Sequence, residues 1–224
     1  MTINGRKILA LDYDDTLADN GHVDARTQAA LTRFRDAGGV LILVTGRTLE
    51  QLRDVYGQLA SFEIIVLENG CVLYRPGTDE VKLLGPGPPP SLLEFLRQYG
   101  VAPLHIGRVV VSTDVANTNK VKKAILASGA QLELATNRSS LMILPVGVDK
   151  TTGFNAALEE IGAEPTDVVA VGDAENDLPF LRLSGYSAAV ANATDAVKAS
   201  SDAVLSGERG KGVAELISAL LGDG

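Results

Sequence analysis

Tryptophan is absent from the 224 residues, cysteine occurs once, and aromatic residues make up only 4 %. The core of such a chain must come mainly from Leu, Val, Ile and Ala, and a single cysteine excludes an intrachain disulfide. Cys71 stands in the apolar-flanked run Cys71-Val72-Leu73-Tyr74. It is expected to be a small buried hydrophobe, compatible with a reducing cytoplasm. Positive charge is also scarce, with 20 Lys and Arg against 28 Asp and Glu and a formal net charge of −8. That balance argues against nucleic acid as a partner and against stable docking on an acidic membrane surface. The one basic cluster, Lys120, Lys122 and Lys123, reads as a solvated helix face. No apolar run approaches membrane-spanning length. Met1 to Arg6 is short and polar, with no apolar signal core after it. A cytoplasmic location is expected, with monomer and homodimer both open.

Apolar residues make up 46 % and charged residues 21 %, the balance of a globular protein. The length suits one large α/β domain or a core with a smaller insert. Strand-like runs at Lys7 to Tyr13, Val40 to Val44 and Glu63 to Leu67 alternate with helical stretches at Ala25 to Ala37 and Leu49 to Leu59. This β-α-β-α-β rhythm predicts a parallel sheet with right-handed crossovers. Val72 to Tyr74 and Val81 to Leu84 read as a hairpin around Arg75-Pro76-Gly77. Gly85-Pro86-Gly87-Pro88-Pro89-Pro90 then marks a linker into an insert. The insert is read as helix Ser91 to Tyr99, strand His105 to Ser112, helix Asn117 to Ser128, and strands Gln131 to Ala135 and Leu141 to Pro145. From Thr151 the βα rhythm returns, with helices at Thr151 to Ile161, Asp177 to Leu183 and Gly212 to Leu221. Strands are read at Val168 to Val171, Ser187 to Val190 and Ala203 to Leu205. The expected division is residues 1–84 and 147–224 for an α/β core and 85–146 for an α+β insert.

Chemistry is expected where polar residues follow strands, since ligands of open parallel sheets collect at the strands' carboxyl ends. Asp12, Asp14 and Asp15 crowd three carboxylates into four positions after the first strand. Like charges this close raise one another's pKa unless a cation joins them, and magnesium suits an all-oxygen site. With period-two geometry, Asp12 and Asp14 point the same way, one able to attack phosphorus and the other to handle a proton. Alone, the cluster reads equally well as an acidic helix cap. Thr45-Gly46-Arg47 follows the second strand and can offer a hydroxyl and backbone N–H groups to phosphate oxygens, or can be an ordinary N-cap. Asp173, Glu175 and Asp177 form a second acid cluster after a strand, with Asp173 and Asp177 suited to the same ion or the cluster to capping the helix that follows. Lys150 lies between the acid clusters, where a cation would offset the charge of a phosphate and its nucleophile. His22 and His105 stand isolated and carry no assigned role.

The ordered set Asp-x-Asp-x-Thr-Leu, Thr-Gly-Arg, Lys and Gly-Asp-x-x-Asn-Asp resembles the four motifs of the haloacid dehalogenase superfamily of phosphatases. The insert resembles the α+β cap of the branch that includes Cof-type sugar phosphatases, archaeal phosphoglycolate phosphatases, and sucrose-phosphate and mannosylphosphoglycerate phosphatases. The resemblance implies a Rossmann-like parallel-sheet core with an inserted cap, a bound Mg2+, and hydrolysis of a small phosphoester, phosphoglycolate-like or a sugar phosphate. It implies Asp12 as nucleophile and metal ligand, and Asp14 as general acid and base with its carbonyl on the metal. Thr45 and Lys150, with Gly46 and Arg47 beside Thr45, would hold the phosphoryl group. Asp173 would ligate the metal, and Asp177 would orient it through water or Lys150. Asn69, in Leu67-Glu68-Asn69-Gly70, matches a loop that faces substrate in relatives. Arg108 and the loop Asn137-Arg138-Ser139-Ser140 are candidates for leaving-group recognition, Arg for an anionic group and Asn or Ser for sugar hydroxyls, and each reads equally as a solvent-facing loop residue. Asp15 departs from the Gly of many relatives, and Leu-Asp-Tyr-Asp resembles trehalose-phosphate phosphatases. Two alternatives share parts of this kit: a sugar phosphomutase and a receiver-like phosphoaspartate module.

Overall fold

The computed structural model describes residues 8–137 and 139–222. Strand β1 (Ile8–Asp12) is buried along its whole length and lies between β2 (Val40–Val44) and β10 (Val168–Gly172), parallel to both. Burial on both faces explains why these segments read as continuous apolar runs rather than alternating ones. The numbering reaches β10 through β3 (Ile64–Leu67), β4 (Val72–Arg75), β5 (Glu80–Leu83), β6 (His105–Ile106), β7 (Val111–Asp114), β8 (Leu132–Asn137) and β9 (Ser140–Pro145). Beyond it lie β11 (Tyr186–Ala189) and β12 (Ala203–Val204). The main sheet runs β12-β11-β10-β1-β2-β3-β4-β5, with the β3–β4 and β4–β5 pairings antiparallel and the others parallel. From β1 the chain first builds one flank of the sheet and later returns to build the other. The strand order therefore reverses beside the carboxyl end of β1, where a crevice opens.

Helix α1 (Ala25–Asp36) connects β1 to β2 and α2 (Leu49–Val55) connects β2 to β3, and α3 (Pro90–Gln98) and α4 (Thr118–Ser128) belong to the inserted segment. Helices α5 (Lys150–Ile161), α6 (Leu178–Leu183), α7 (Asp195–Ser200) and α8 (Arg209–Leu221) follow. Their starts are chemically encoded. Asp24 caps α1 by accepting from the Thr27 N–H, and Thr48 with Gln51, and Asp149 with Thr152, form reciprocal capping boxes on α2 and α5. The last of these caps places Lys150 at the first position of its helix. Among the described residues no helix is long and apolar enough to cross a membrane.

The chain leaves the main sheet after β5 and builds a separate antiparallel sheet of order β6-β7-β9-β8 before α5. Strand β9 shows the division of labour. Leu141 and Ile143 join Leu92, Leu96 and Val121 in a core beneath α3 and α4, whereas Met142 and Leu144 join the large core of the main sheet. Alternate residues of one strand thus serve two cores, as a period of two requires.

Three elements differ from their sequence expectations. Helix α2 stops at Val55 rather than Leu59, because the Tyr56 ring turns inward between Tyr13 and Phe62, at centroid distances of 5.9 and 6.2 Å. The single strand expected over His105 to Ser112 is a hairpin. Strands β6 and β7 pair with each other, and the Gly107 N–H closes the turn on the Val110 carbonyl at 2.8 Å. Helix α8 begins at Arg209, three positions before the expected Gly212, and the Arg209 N–H donates to Asn192 Oδ1. Lys7, placed in the first strand by its sequence, lies outside the described residues.

Candidate active site

Asp12 is the last residue of β1 and Thr45 the first after β2, so register puts both at one edge of the sheet. The segment 173–177 leaves β10 at the same edge. Lys150 Nζ, fully enclosed, donates to Asp12 Oδ1 at 2.5 Å and to Asp177 Oδ1 at 2.6 Å. Asp177 Oδ2 accepts from the backbone N–H groups of Asp173 and Ala174 at 3.0 and 3.1 Å. Asp173 Oδ1 accepts from the Thr16 hydroxyl at 3.1 Å. Both Asp177 oxygens are therefore committed to holding Lys150 and the loop that carries Asp173.

Carboxylate oxygens of Asp12, Asp173 and Asp177 lie within 4.8 Å of one another, and all three residues are buried. Burial, then the Asp177 charge, drives the Asp12 carboxyl well above the ordinary aspartate range despite the lowering effect of Lys150. Burial alone would lower the Lys150 ammonium, but the two carboxylates outweigh it and hold its pKa above normal. Lys150 thus serves two carboxylates at once. Hard oxygen donors packed this closely fit a small divalent ion such as magnesium, which would restore charge balance.

Thr45 and its neighbours form a backbone-bonded loop. The Thr45 N–H donates to Val66 O, the Asn69 N–H donates to Thr45 O, and the Glu68 N–H donates to Arg47 O. Thr45 Oγ1 accepts from the Arg47 N–H at 3.2 Å. The Arg47 guanidinium grips Asp14 in a two-point pair at 2.7 and 2.8 Å and lies over the Tyr13 ring. Glu68 and Asn69 both have left-handed backbones, at φ of 50° and 56°. Two such non-glycine residues cost about 1–3 kcal/mol each, so the surrounding bonds must hold them. Asn69 is buried, and its Oδ1 has no hydrogen-bond partner among the described residues. Gly70, at φ of 100°, lies where an added Cβ would overlap the Asp149 carbonyl. The 68–70 loop therefore abuts the N-terminus of the helix that carries Lys150.

A cavity of about 420 Å³ opens above these groups. Its floor includes Asp12, Asp14, Asp173 and Gly46. Arg47 and Asn176 also line it, and Ser112, Asn137, Ser139, Ser140 and Met142 reach it from the antiparallel sheet. The structure thus joins Asp12, Asp173, Asp177 and Lys150 directly and brings Asp14, Gly46, Arg47 and Asn137 to the same cavity. Thr45 and Asn69 lie buried beside it. Arg108 is not among the lining residues; its guanidinium pairs with Glu50 at 3.5 Å on the surface. Arg138 lies outside the described residues.

Several contributors went unsingled by sequence reasoning. Thr16 braces Asp173, and Ser112, Gln51 and Met142 line the cavity. Asp15 takes a left-handed backbone that favours glycine, at φ of 61°, and its carboxylate accepts from Arg209 Nε at 3.0 Å. Its carbonyl accepts from the Asn192 side chain at 2.7 Å. No local pattern linked residues 15, 192 and 209. Thr16 was legible only as part of the first motif.

The sequence matches the family described as haloacid dehalogenase-like hydrolase over residues 9–83 and 96–217. The chain belongs to that family, and within it is a phosphatase, a hydrolase of phosphoric monoesters. It is 28 % identical to a phosphoglycolate phosphatase of Methanothermobacter thermautotrophicus over 96 % of this chain and 99 % of that protein. It is 30 % identical to a phosphoglycolate phosphatase of Halorubrum lacusprofundi over 95 % of this chain and 96 % of that one. Among solved structures, a haloacid dehalogenase-like hydrolase from Bacteroides thetaiotaomicron superposes with a TM-score of 0.80 at 21 % identity, covering 96 % of this chain and 99 % of its own. A subclass IIB sugar phosphatase of the same superfamily superposes at 0.75 with 16 % identity, covering 96 % and 98 %.

Proposed function

We propose that this phosphatase depends on magnesium and hydrolyses a small phosphorylated metabolite, phosphoglycolate or a sugar phosphate, through an aspartyl-phosphate on Asp12. The observation that carries this reading is the convergence of Asp12, Lys150, Asp173 and Asp177 at the point where the strand order reverses.

In the first step an Asp12 carboxylate oxygen attacks phosphorus, and the bond from phosphorus to the leaving alcohol oxygen breaks. Asp14 gives its proton to that oxygen. For this, Asp14 must leave the two-point pair in which Arg47 now holds it. In the second step Asp14 takes a proton from water as the water oxygen attacks the phosphorus of the acyl phosphate. This releases inorganic phosphate and regenerates the Asp12 carboxylate. Lys150 and the Thr45 loop hold the phosphoryl oxygens, and Lys150 also offsets the charge of Asp12. Asp12, Asp173 and the Asp14 carbonyl would hold magnesium, with Asp177 orienting the set. Bound magnesium supplies neutralisation of the crowded carboxylates and phosphate oxygens.

Residues 85–146 act in this reading as a cap whose inner face meets the leaving group. Ser112, Asn137, Ser139 and Ser140 suit a small hydroxylated or carboxylated leaving group. The phosphoglycolate phosphatases similar over nearly the whole chain support the same size class. The test is phosphate release from phosphoglycolate, sugar phosphates and nucleotides, with magnesium and with chelator. One small phosphoester turned over far above the rest, only with magnesium, is expected. Failure to release phosphate from any of them would overturn the proposal, and an isomerised sugar phosphate in its place would identify a mutase.

A further inference from the structure

Glu68 is a carboxylate 1 % exposed, at the end of β3, and it reaches out of the main sheet into the inserted unit. Its Oε1 accepts from the Arg108 N–H, and its Oε2 from the Val109 and Val110 N–H groups, each at 2.9 Å. Three successive N–H groups of the β6–β7 turn thus close on one side chain from another unit. A buried carboxylate is costly unless its oxygens are satisfied, and here backbone donors satisfy them. The turn is shaped for the purpose: a Cβ on Gly107 would stand 2.5 Å from Glu68 Oε2. The other end of Glu68 is tied to the catalytic loop. Its N–H donates to the Arg47 carbonyl, and the next N–H, from Asn69, donates to the Thr45 carbonyl. One residue therefore joins the loop of Thr45 and Arg47 to the turn before β7, the strand that brings Ser112 to the cavity.

We propose that Glu68 is a positioning residue: its carboxylate fixes the antiparallel unit over the Thr45 loop and so sets how the cavity discriminates among leaving groups. This rests on the proposed phosphatase reading for its catalytic consequence, though not for the grip itself. A leaving group that touches both units feels any displacement between them, and a shift of about 1 Å in such positioning can cost about a hundredfold in rate. A phosphate donor whose leaving group makes no use of the insert does not.

The experiment compares wild type with Glu68→Gln, and with Gly107→Ala, which disturbs the same contact from the other side and leaves the Thr45 loop untouched. Backbone amide exchange over residues 108–110 is measured by mass spectrometry, and kcat and KM on phosphoglycolate, glucose 6-phosphate and acetyl phosphate. Exchange in both variants should rise about tenfold or more over 108–110. For the better of the two phosphoesters kcat/KM should fall about tenfold or more, while acetyl phosphate stays within about threefold. Unchanged exchange in both variants would overturn the grip, and equal losses on all substrates would overturn the positioning role. If wild type hydrolyses none of the three, the phosphatase reading fails and the exchange arm still decides the grip.

Discussion

Asp12 and Cys71 are both buried, and burial raises the pKa of both, yet their surroundings differ. Asp12 accepts from the Lys150 ammonium, and with Asp173 and Asp177 it forms a carboxylate cluster that a divalent cation would neutralise. Asp12→Asn keeps the shape and removes the nucleophile. Phosphate release should drop by about a thousandfold or more while circular dichroism stays native, and retained turnover would remove Asp12 from that role. Cys71 has no such use. Burial first, then the nearby Glu68 and Asp149 charges, push its thiol up to about 12. At pH 8, well below that value, the thiol stays protonated and enclosed. Iodoacetamide should therefore leave the native protein unlabelled and label it fully in denaturant. Rapid native labelling would show that the 68–71 loop opens.

Among elements, the 68–70 loop and the start of α5 depend on each other. Gly70 needs both a left-handed backbone and the absence of a Cβ beside Asp149. Gly70→Ala must displace the Asp149–Lys150 turn or strain itself. It should cost about 2–3 kcal/mol in urea unfolding and reduce activity, because Lys150 moves with its helix. A loss below about 0.5 kcal/mol would show the contact to be yielding. The parallel strands and most helices were legible because each is coded locally by its apolar pattern, to which the structure adds Asp24, Thr48 and Asp149 as caps. The β6–β7 turn was not legible. The apolar stretch from Val109 to Val111 reads as strand, and what bends the chain is a carboxylate about forty positions earlier.

At the scale of the whole molecule, the acids of two distant loops are held together by one lysine. Added magnesium should stabilise the fold as well as switch on activity. At a hundredfold excess over its Kd the gain is about 2.7 kcal/mol, seen as a higher Tm that chelator reverses. A Tm indifferent to magnesium while activity requires it would place the ion on the substrate rather than on the protein.

The sequence by itself determined the class of fold, the family and the places where chemistry collects, because strand ends and motif residues are written in contiguous stretches. Asp12, Thr45, Lys150 and Asp173 could be named from order alone. Only the tertiary structure decided which atoms meet. It spent both oxygens of Asp177 on Lys150 and the backbone, and turned Arg47 onto Asp14. It sent Arg108 to Glu50, away from the cavity, and made Glu68 the tie between two sheets. Those choices depend on distances between residues far apart in the chain, which no local pattern of side chains encodes.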